Sequence, residues 1–210
     1  MTKMFEVGAL STNCYVVFCS DTYEAVVIDP GFDTQIEAEG IFKFIKSNNL
    51  RVKFIVDTHG HPDHTCGNAA VKKRFNVPIC IHEHDAYMLG ESGIKTAQYF
   101  GYKCVSPPAD VVLKEGDLVR FGNCALKVQH SPGHSKGSML LVSDKVVFSG
   151  DTLFAGSIGR TDFPESSDDE MQLSLKRLLH LPVSLVVYPG HGPPTIMRDE
   201  RRANPFLSDF

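Results

Sequence analysis

The chain has 210 residues, 42% of them hydrophobic and 22% charged, and a net charge of -4 from 21 basic and 25 acidic side chains. This is ordinary globular composition, which excludes a disordered, collagenous or coiled-coil protein, and the acidic balance argues against nucleic acid as a partner. No apolar run reaches the roughly 18 residues of a membrane span, and Met1-Thr2-Lys3-Met4-Phe5-Glu6 lacks the apolar core of a signal peptide, so the expectation is a whole-chain, cytoplasmic protein.

Residues 13–19 are apolar and β-branched and read as a strand. Asp21-Thr22-Tyr23 turns the chain into a second strand over 25–28, which Asp29-Pro30-Gly31 stops. Ile36, Ile41, Phe42, Phe44 and Ile45 share one face of a helix over 34–49. A buried strand over 52–56 runs into a short stretch dense in histidine. A helix over 67–75 and a strand over 78–81 follow. Residues 82–108 mix Gly, Tyr, Met and a Pro-Pro pair and read as a helix plus a long loop.

From Asp117 the strands come closer together, over 119–121, 125–129, 138–142 and 146–149. A helix over 167–179 has Ser166 or Ser167 to cap it and Asp168, Asp169 and Glu170 in its first turn, where the helix dipole favours negative charge. A strand over 185–188 and a short charged helix over 197–203 close the pattern. The order implies two similar halves in one domain over 1–210, packed sheet on sheet with helices outside.

The cysteines are Cys14, Cys19, Cys66, Cys80, Cys104 and Cys124, with no C-x-x-C pair among them. That excludes the usual thiolate zinc site, and reduced, buried thiols are expected. Cys66 stands apart because it lies two residues after a histidine cluster; it is expected to be a packed thiol opening the following helix, with a redox or substrate role as the alternative.

That cluster, His59-Gly60-His61-Pro62-Asp63-His64, places three histidines and an aspartate within six residues at the end of a buried strand. Imidazole and carboxylate are the ligands of zinc, iron and related divalent ions. Three further positions have the same character: His134 in Ser131-Pro132-Gly133-His134, Asp151 in Ser149-Gly150-Asp151-Thr152, and His191 in Tyr188-Pro189-Gly190-His191. Each sits in a Gly-bearing turn after a strand, where ligands gather on a rigid sheet. His82-Glu83-His84 lacks the companion Asp-His and reads as a helix start or surface feature, and His130 and His180 read as structural.

The ordered set H-x-H-x-D-H, His, Gly-Asp, Pro-Gly-His resembles the metallo-β-lactamase superfamily over nearly the whole chain. The resemblance implies an αββα sandwich of two mixed sheets with two divalent ions at one edge, zinc first, with iron or manganese as alternatives. His59, His61 and His134 would hold one ion, Asp63, His64 and His191 the other, and Asp151 would bridge them. The segments 149–154, 159–162, 188–192 and 204–207 are similar to the glyoxalase II, or hydroxyacylglutathione hydrolase, branch. That branch implies cleavage of a small-molecule thioester such as S-lactoylglutathione by a metal-bridging hydroxide, with Asp63 and Asp151 catalytic.

Full-length glyoxalase II carries a further helical domain after the Asn-Pro segment, and this chain stops at Phe210, so it resembles a short branch. Asp151, where true β-lactamases of the superfamily usually carry a nearby Cys, points away from antibiotics. Arg160 is a candidate contact for a substrate carboxylate, or a clamp on Asp162. Tyr99, Phe100 and Tyr102 are a candidate substrate wall, with core packing as the alternative. Asp29 and Asp57 are candidates to orient the ligating histidines from behind. Gly159-Arg160-Thr161-Asp162-Phe163 is also similar to the persulfide dioxygenases, which implies as a rival one iron held by His59, His134 and Asp151 and oxidation of glutathione persulfide. The superfamily's ribonucleases bring extra domains or basic arms that this sequence lacks.

Overall fold

The computed structural model describes residues 1–207. Its first sheet takes β1 (Thr2–Val7), β2 (Thr12–Phe18), β3 (Glu24–Ile28), β4 (Arg51–Val56), β5 (Ile79–His82) and β6 (Val111–Leu113) in sequential order. The first three pair antiparallel, and β3 to β6 pair parallel. The second half adds β7 (Leu118–Phe121), β8 (Cys124–His130), β9 (Met139–Val142), β10 (Val146–Gly150), the small hairpin β11 (Leu153–Phe154) and β12 (Ser157–Ile158), then β13 (Val186–Pro189) and β14 (Thr195–Ile196). The second sheet runs β14-β13-β10-β9-β8-β7, with β10 and β13 parallel and its other pairs antiparallel.

Strand alternation sorts side chains into three apolar layers. Val27 of β3 faces outward onto α1 (Gln35–Ser47), where Ile41 and Ile45 cover it, and Val71 of a further helix joins the same layer. Val26 and Ile28 turn the other way and meet Val128, Leu141 and Phe148 of the second sheet. Val147 and Val187 face outward onto α5 (Asp168–Leu178), against Met171, Leu175 and Leu178. Each fully buried aliphatic side chain contributes roughly 1.5–3 kcal/mol. The layers are helix, sheet, sheet, helix, as the resemblance implied.

Local chemistry sets the helix ends. Thr34 and Glu37 form a reciprocal capping box on α1, a device that contributes about 1 kcal/mol. Of the two candidate serines, Ser167 caps α5 and accepts from Glu170 N, whereas Ser166 Oγ donates to His134 O at 2.6 Å. Between β4 and β5 lie the single-turn α2 (Pro62–Thr65) and α3 (Asn68–Phe75). Residues 82–108 hold two short 3-10 turns, α4 (Ile94–Tyr99) and a loop; α6 (Met197–Ala203) lies near the end of the described chain. Among the described residues no helix is long and apolar enough to cross a membrane.

The structure corrects two expectations. Cys66 and Cys104 are joined in a disulfide, while Cys14, Cys19, Cys80 and Cys124 are free. His82 does not start a helix: it ends β5, buried, with its ring stacked on that of His130 at 4.1 Å, so the pair ties one sheet to the other. β1, β6, β11, β12 and β14 were not foreseen. The last four have two or three residues each, too few to show a period.

Candidate metal centre

Four strands deliver the candidate ligands to one edge of the sandwich. His59, His61, Asp63 and His64 follow β4, His134 follows β8, Asp151 follows β10 and His191 follows β13. Cross-sheet bonds hold these turns together. Tyr15 Oη donates to Pro189 O at 2.6 Å, and Asn13 Nδ2 donates to Pro189 O at 3.0 Å and Gly192 O at 2.7 Å, fixing the His191 turn against β2. Asp85, fully buried, accepts from Gly60 N (2.9 Å), Ser135 Oγ (2.6 Å) and Gly137 N (2.6 Å), locking the His61 turn to the His134 turn. Gly190 lies where a Cβ would collide with Asp151 Oδ1 and come within 2.8 Å of His64 Cε1, so no larger residue lets Asp151 sit this close.

All seven predicted ligands converge. His61 Nδ1 is 3.1 Å from His59 Nε2 and 2.9 Å from His134 Nε2. His64 Nε2 is 3.3 Å from His191 Nε2 and 3.4 Å from both Asp63 Oδ2 and Asp151 Oδ1. Asp151 Oδ2 is 3.5 Å from both His134 Nε2 and His191 Nε2, so this carboxylate reaches both groups. His59, His61 and His134 form one set able to hold a metal ion, and Asp63, His64 and His191 form another.

The outward nitrogens decide what the inward ones are. His61 Nε2 donates to Glu165 Oε1 at 2.9 Å, His134 Nδ1 to Arg160 O at 2.9 Å and His191 Nδ1 to Leu10 O at 3.0 Å. His64 Nδ1 lies 3.1 Å from Asp29 Oδ2. Thr58 Oγ1 donates to Asp29 Oδ2 at 2.7 Å, which leaves it to accept from His59 Nδ1 at 3.3 Å. With the protons of His59, His61 and His134 on their outward nitrogens, the lone pairs of these three rings face each other across about 3 Å inside. Such an arrangement is repulsive without a cation between them. Asp151 Oδ1 is also buried without a hydrogen-bond partner, and an orphan of that kind costs about 1–3 kcal/mol. The donor set therefore fits divalent metal ions, with imidazole nitrogen and carboxylate oxygen as the ligand types.

Electrostatics act on the donors in opposite directions. Burial and the neighbouring imidazoles hold His59 well below its usual pKa, and burial lowers His134. Burial works against Asp63 ionising, yet His64 and His191 outweigh it and hold the carboxyl below its ordinary range. For His64 burial is likewise overcome by Asp63, Asp151 and Asp29, which push it up to about 10, so a cation at this position displaces a proton.

Asp29 lies between Thr58 and His64. Asp57 accepts from Asn68 Nδ2 at 2.7 Å, and burial raises its pKa. Arg160 makes a two-pronged pair with Asp162 at 2.6 and 2.7 Å and lies over the Phe163 ring at 4.3 Å. Phe100 packs on His61 at 4.7 Å and on Phe163 at 4.9 Å, forming an aromatic wall at the mouth. Tyr99 is exposed, with its ring 5.1 Å from that of Phe100, and Tyr102 is half-buried, its hydroxyl pushed up to about 12 by burial and by Asp63 and Asp33. Sequence reasoning missed Glu165, Asp85, Phe163 and the Leu10 carbonyl. Only folding brings these ordinary residues to the centre.

Comparison with known proteins agrees with this geometry. Residues 7–191 match the model of the Metallo-beta-lactamase superfamily. The chain is 34% identical to "Hydroxyacylglutathione hydrolase GloC" of Haemophilus influenzae, covering 98% of this chain and 97% of that protein. Among solved structures it is similar to BLEG-1 B3 metallo-beta-lactamase (TM-score 0.90, 34% identity, 99% of this chain and 100% of that one). It is also similar to TTHA1623 in a di-iron-bound form (TM-score 0.85, 35% identity, 98% and 100%). The sandwich, the strand-end donors and a family match over most of its length make this chain a member of the metallo-β-lactamase superfamily.

Proposed function

We propose that the chain is a binuclear metallohydrolase that cleaves small-molecule thioesters, with compounds of the S-lactoylglutathione type as its substrates. The observation that carries the reading is the sharing of Asp151 between the two donor groups. Seven converging donors suit two ions; the mononuclear-iron dioxygenase reading uses only three of them. Similarity to a protein named as a hydroxyacylglutathione hydrolase supports the substrate class. His59, His61 and His134 would hold one ion, and Asp63, His64 and His191 the other, with Asp151 between; zinc is the first choice and iron or manganese the alternatives.

Divalent cations bound there supply hydroxide near neutral pH, by lowering the pKa of water to about 7, and polarise an acyl carbonyl. The chain's own residues do the rest. Asp63 stays ionised beside His64, so its Oδ2 can orient a water proton. Phe100 and Phe163 shield His61 from bulk water and offer an apolar wall to the acyl group. The thiolate leaves readily because a thiol pKa is about 8.5.

The test is elemental analysis of protein purified without added metal, followed by thioester, β-lactam and persulfide assays. Close to two ions per chain with thioester turnover is expected. One iron per chain with oxygen uptake on glutathione persulfide would replace this reading with a dioxygenase. A β-lactam cleaved faster than any thioester would replace it with an antibiotic-hydrolysing enzyme.

A further inference from the structure

The Cys66–Cys104 disulfide spans 38 positions of sequence and 5.4 Å between Cα atoms, within the ordinary range. One end belongs to the ligand framework. Cys66 caps α2, the turn that carries Asp63 and His64, and the next amide, Gly67 N, donates to Pro30 O at 2.7 Å. The other end belongs to the mouth. Cys104 lies just beyond Phe100, which packs on His61. Tyr102 N bonds back to Ala97 O at 2.8 Å and, two residues beyond Cys104, Ser106 Oγ accepts from Asn68 Nδ2 at 2.9 Å, so the disulfide is the covalent tie between α2 and the stretch that joins α4 to Ser106.

Beside the disulfide is a cavity of about 410 Å³. Its walls include Phe32, Phe42 and Ala70, both cysteines line it, and exposed Gln35 and Glu39 stand at its rim. Cys66 is 8% exposed and Cys104 half-buried. A molecule entering from the rim therefore meets the Cys104 sulfur more readily.

We propose that Cys66–Cys104 is a thiol-exchange site, at which a small thiol entering this cavity opens the disulfide and frees the Phe100–Cys104 wall from the ligand turn. The thiolate forms a bond to Cys104 Sγ, and the electron pair of the broken S–S bond leaves on Cys66 Sγ, which takes a proton from solvent. A second thiol attacks the mixed disulfide, releasing Cys104 as a thiol. Two small thiols are oxidised to their disulfide and the two cysteines are reduced, so atoms and electrons balance. Which sulfur is attacked follows access, and disulfides that meet a thiol pool persist mainly as redox-sensing elements. Because Pro30 O holds Gly67 independently, both donor groups should survive the opening. The proposal stands whatever substrate the centre takes.

The test is peptide mapping of metal-loaded protein, alkylated before and after incubation with millimolar glutathione, with hydrogen exchange and metal content read on the same samples. Expected are a linked 66/104 peptide before incubation, then glutathione on Cys104 or free thiols at both positions. Amide exchange over 94–105 should become about tenfold faster, with unchanged exchange over 62–65 and unchanged metal per chain. Cys104→Ser should show the fast exchange without glutathione and no further response to it. Absence of the linked peptide would overturn the proposal, as would a disulfide that resists glutathione. Loss of metal or global unfolding on reduction would also overturn it, by making the bond a structural staple.

Discussion

Glu165 Oε1 accepts from His61 Nε2 at 2.9 Å, across 104 positions of sequence, and thereby fixes Nδ1 as the nitrogen that faces His59 and His134. A carboxylate behind a ligating imidazole sets the tautomer and raises ligand basicity. Glu165 acts through His61 and is a positioning residue.

Glu165→Ala should weaken metal binding at the His59, His61 and His134 group by roughly 10–100-fold. Folding should survive, because Glu165 lies on a surface loop. Glu165→Gln should recover part of the loss, since an amide oxygen can still accept from His61. A competitive chelator titration reads both; equal affinity in all three proteins would remove Glu165 from the centre.

Asp151→Ala removes the carboxylate that approaches both donor groups. Elemental analysis should find well under two ions per chain, and turnover should fall by at least about 100-fold. Retention of two ions at full turnover would sink the shared-carboxylate reading.

Arg160 has both of its paired nitrogens committed to Asp162 and its plane against Phe163. Arg160→Ala should therefore raise KM for neutral and carboxylate-bearing thioesters alike, through loosening of the aromatic wall. Arg160→Lys should not rescue it, because an ammonium lacks the planar fork. A loss confined to carboxylate-bearing thioesters would instead make Arg160 a direct substrate contact.

His82 carries a pH prediction. Burial, with His130 and His84 nearby, depresses its pKa from 6.5 to about 4. The unfolded chain binds this proton near pH 6.5 and the folded one only near pH 4, so the stability contributed by neutral His82 is intact above about 6.5 and drains away as pH falls toward 4. Denaturant midpoints should fall across that window, and His82→Gln should flatten the fall. An unchanged slope would place the acid sensitivity elsewhere.

The foreseen elements owe their legibility to length and period. The strand at 25–28 and the helix at 34–49 appear as β3 and α1 within a few residues, because buried strands and amphipathic helices repeat an apolar pattern long enough to detect. The two-residue β14 and the three-residue edge strand β6 have no such pattern; their neighbours in the sheet make them strands.

The same division runs through the centre. His59, His61, Asp63 and His64 declare themselves because one strand-end turn concentrates them, and His134, Asp151 and His191 because each repeats that setting. What stands behind them is decided only in three dimensions. Glu165, the Arg160 and Leu10 carbonyls and Asp29 are residues or backbone groups of types found in any loop, and they orient the imidazoles because two packed sheets bring distant turns within 3.1 Å. Cys66 and Cys104 carry no spacing that pairs them; packing the loop beyond α4 against α2 does so. Ligand identity is thus a local property of this sequence. Protonation, orientation and cross-linking depend on groups separated along the chain, whose distances are set by the burial of three apolar layers.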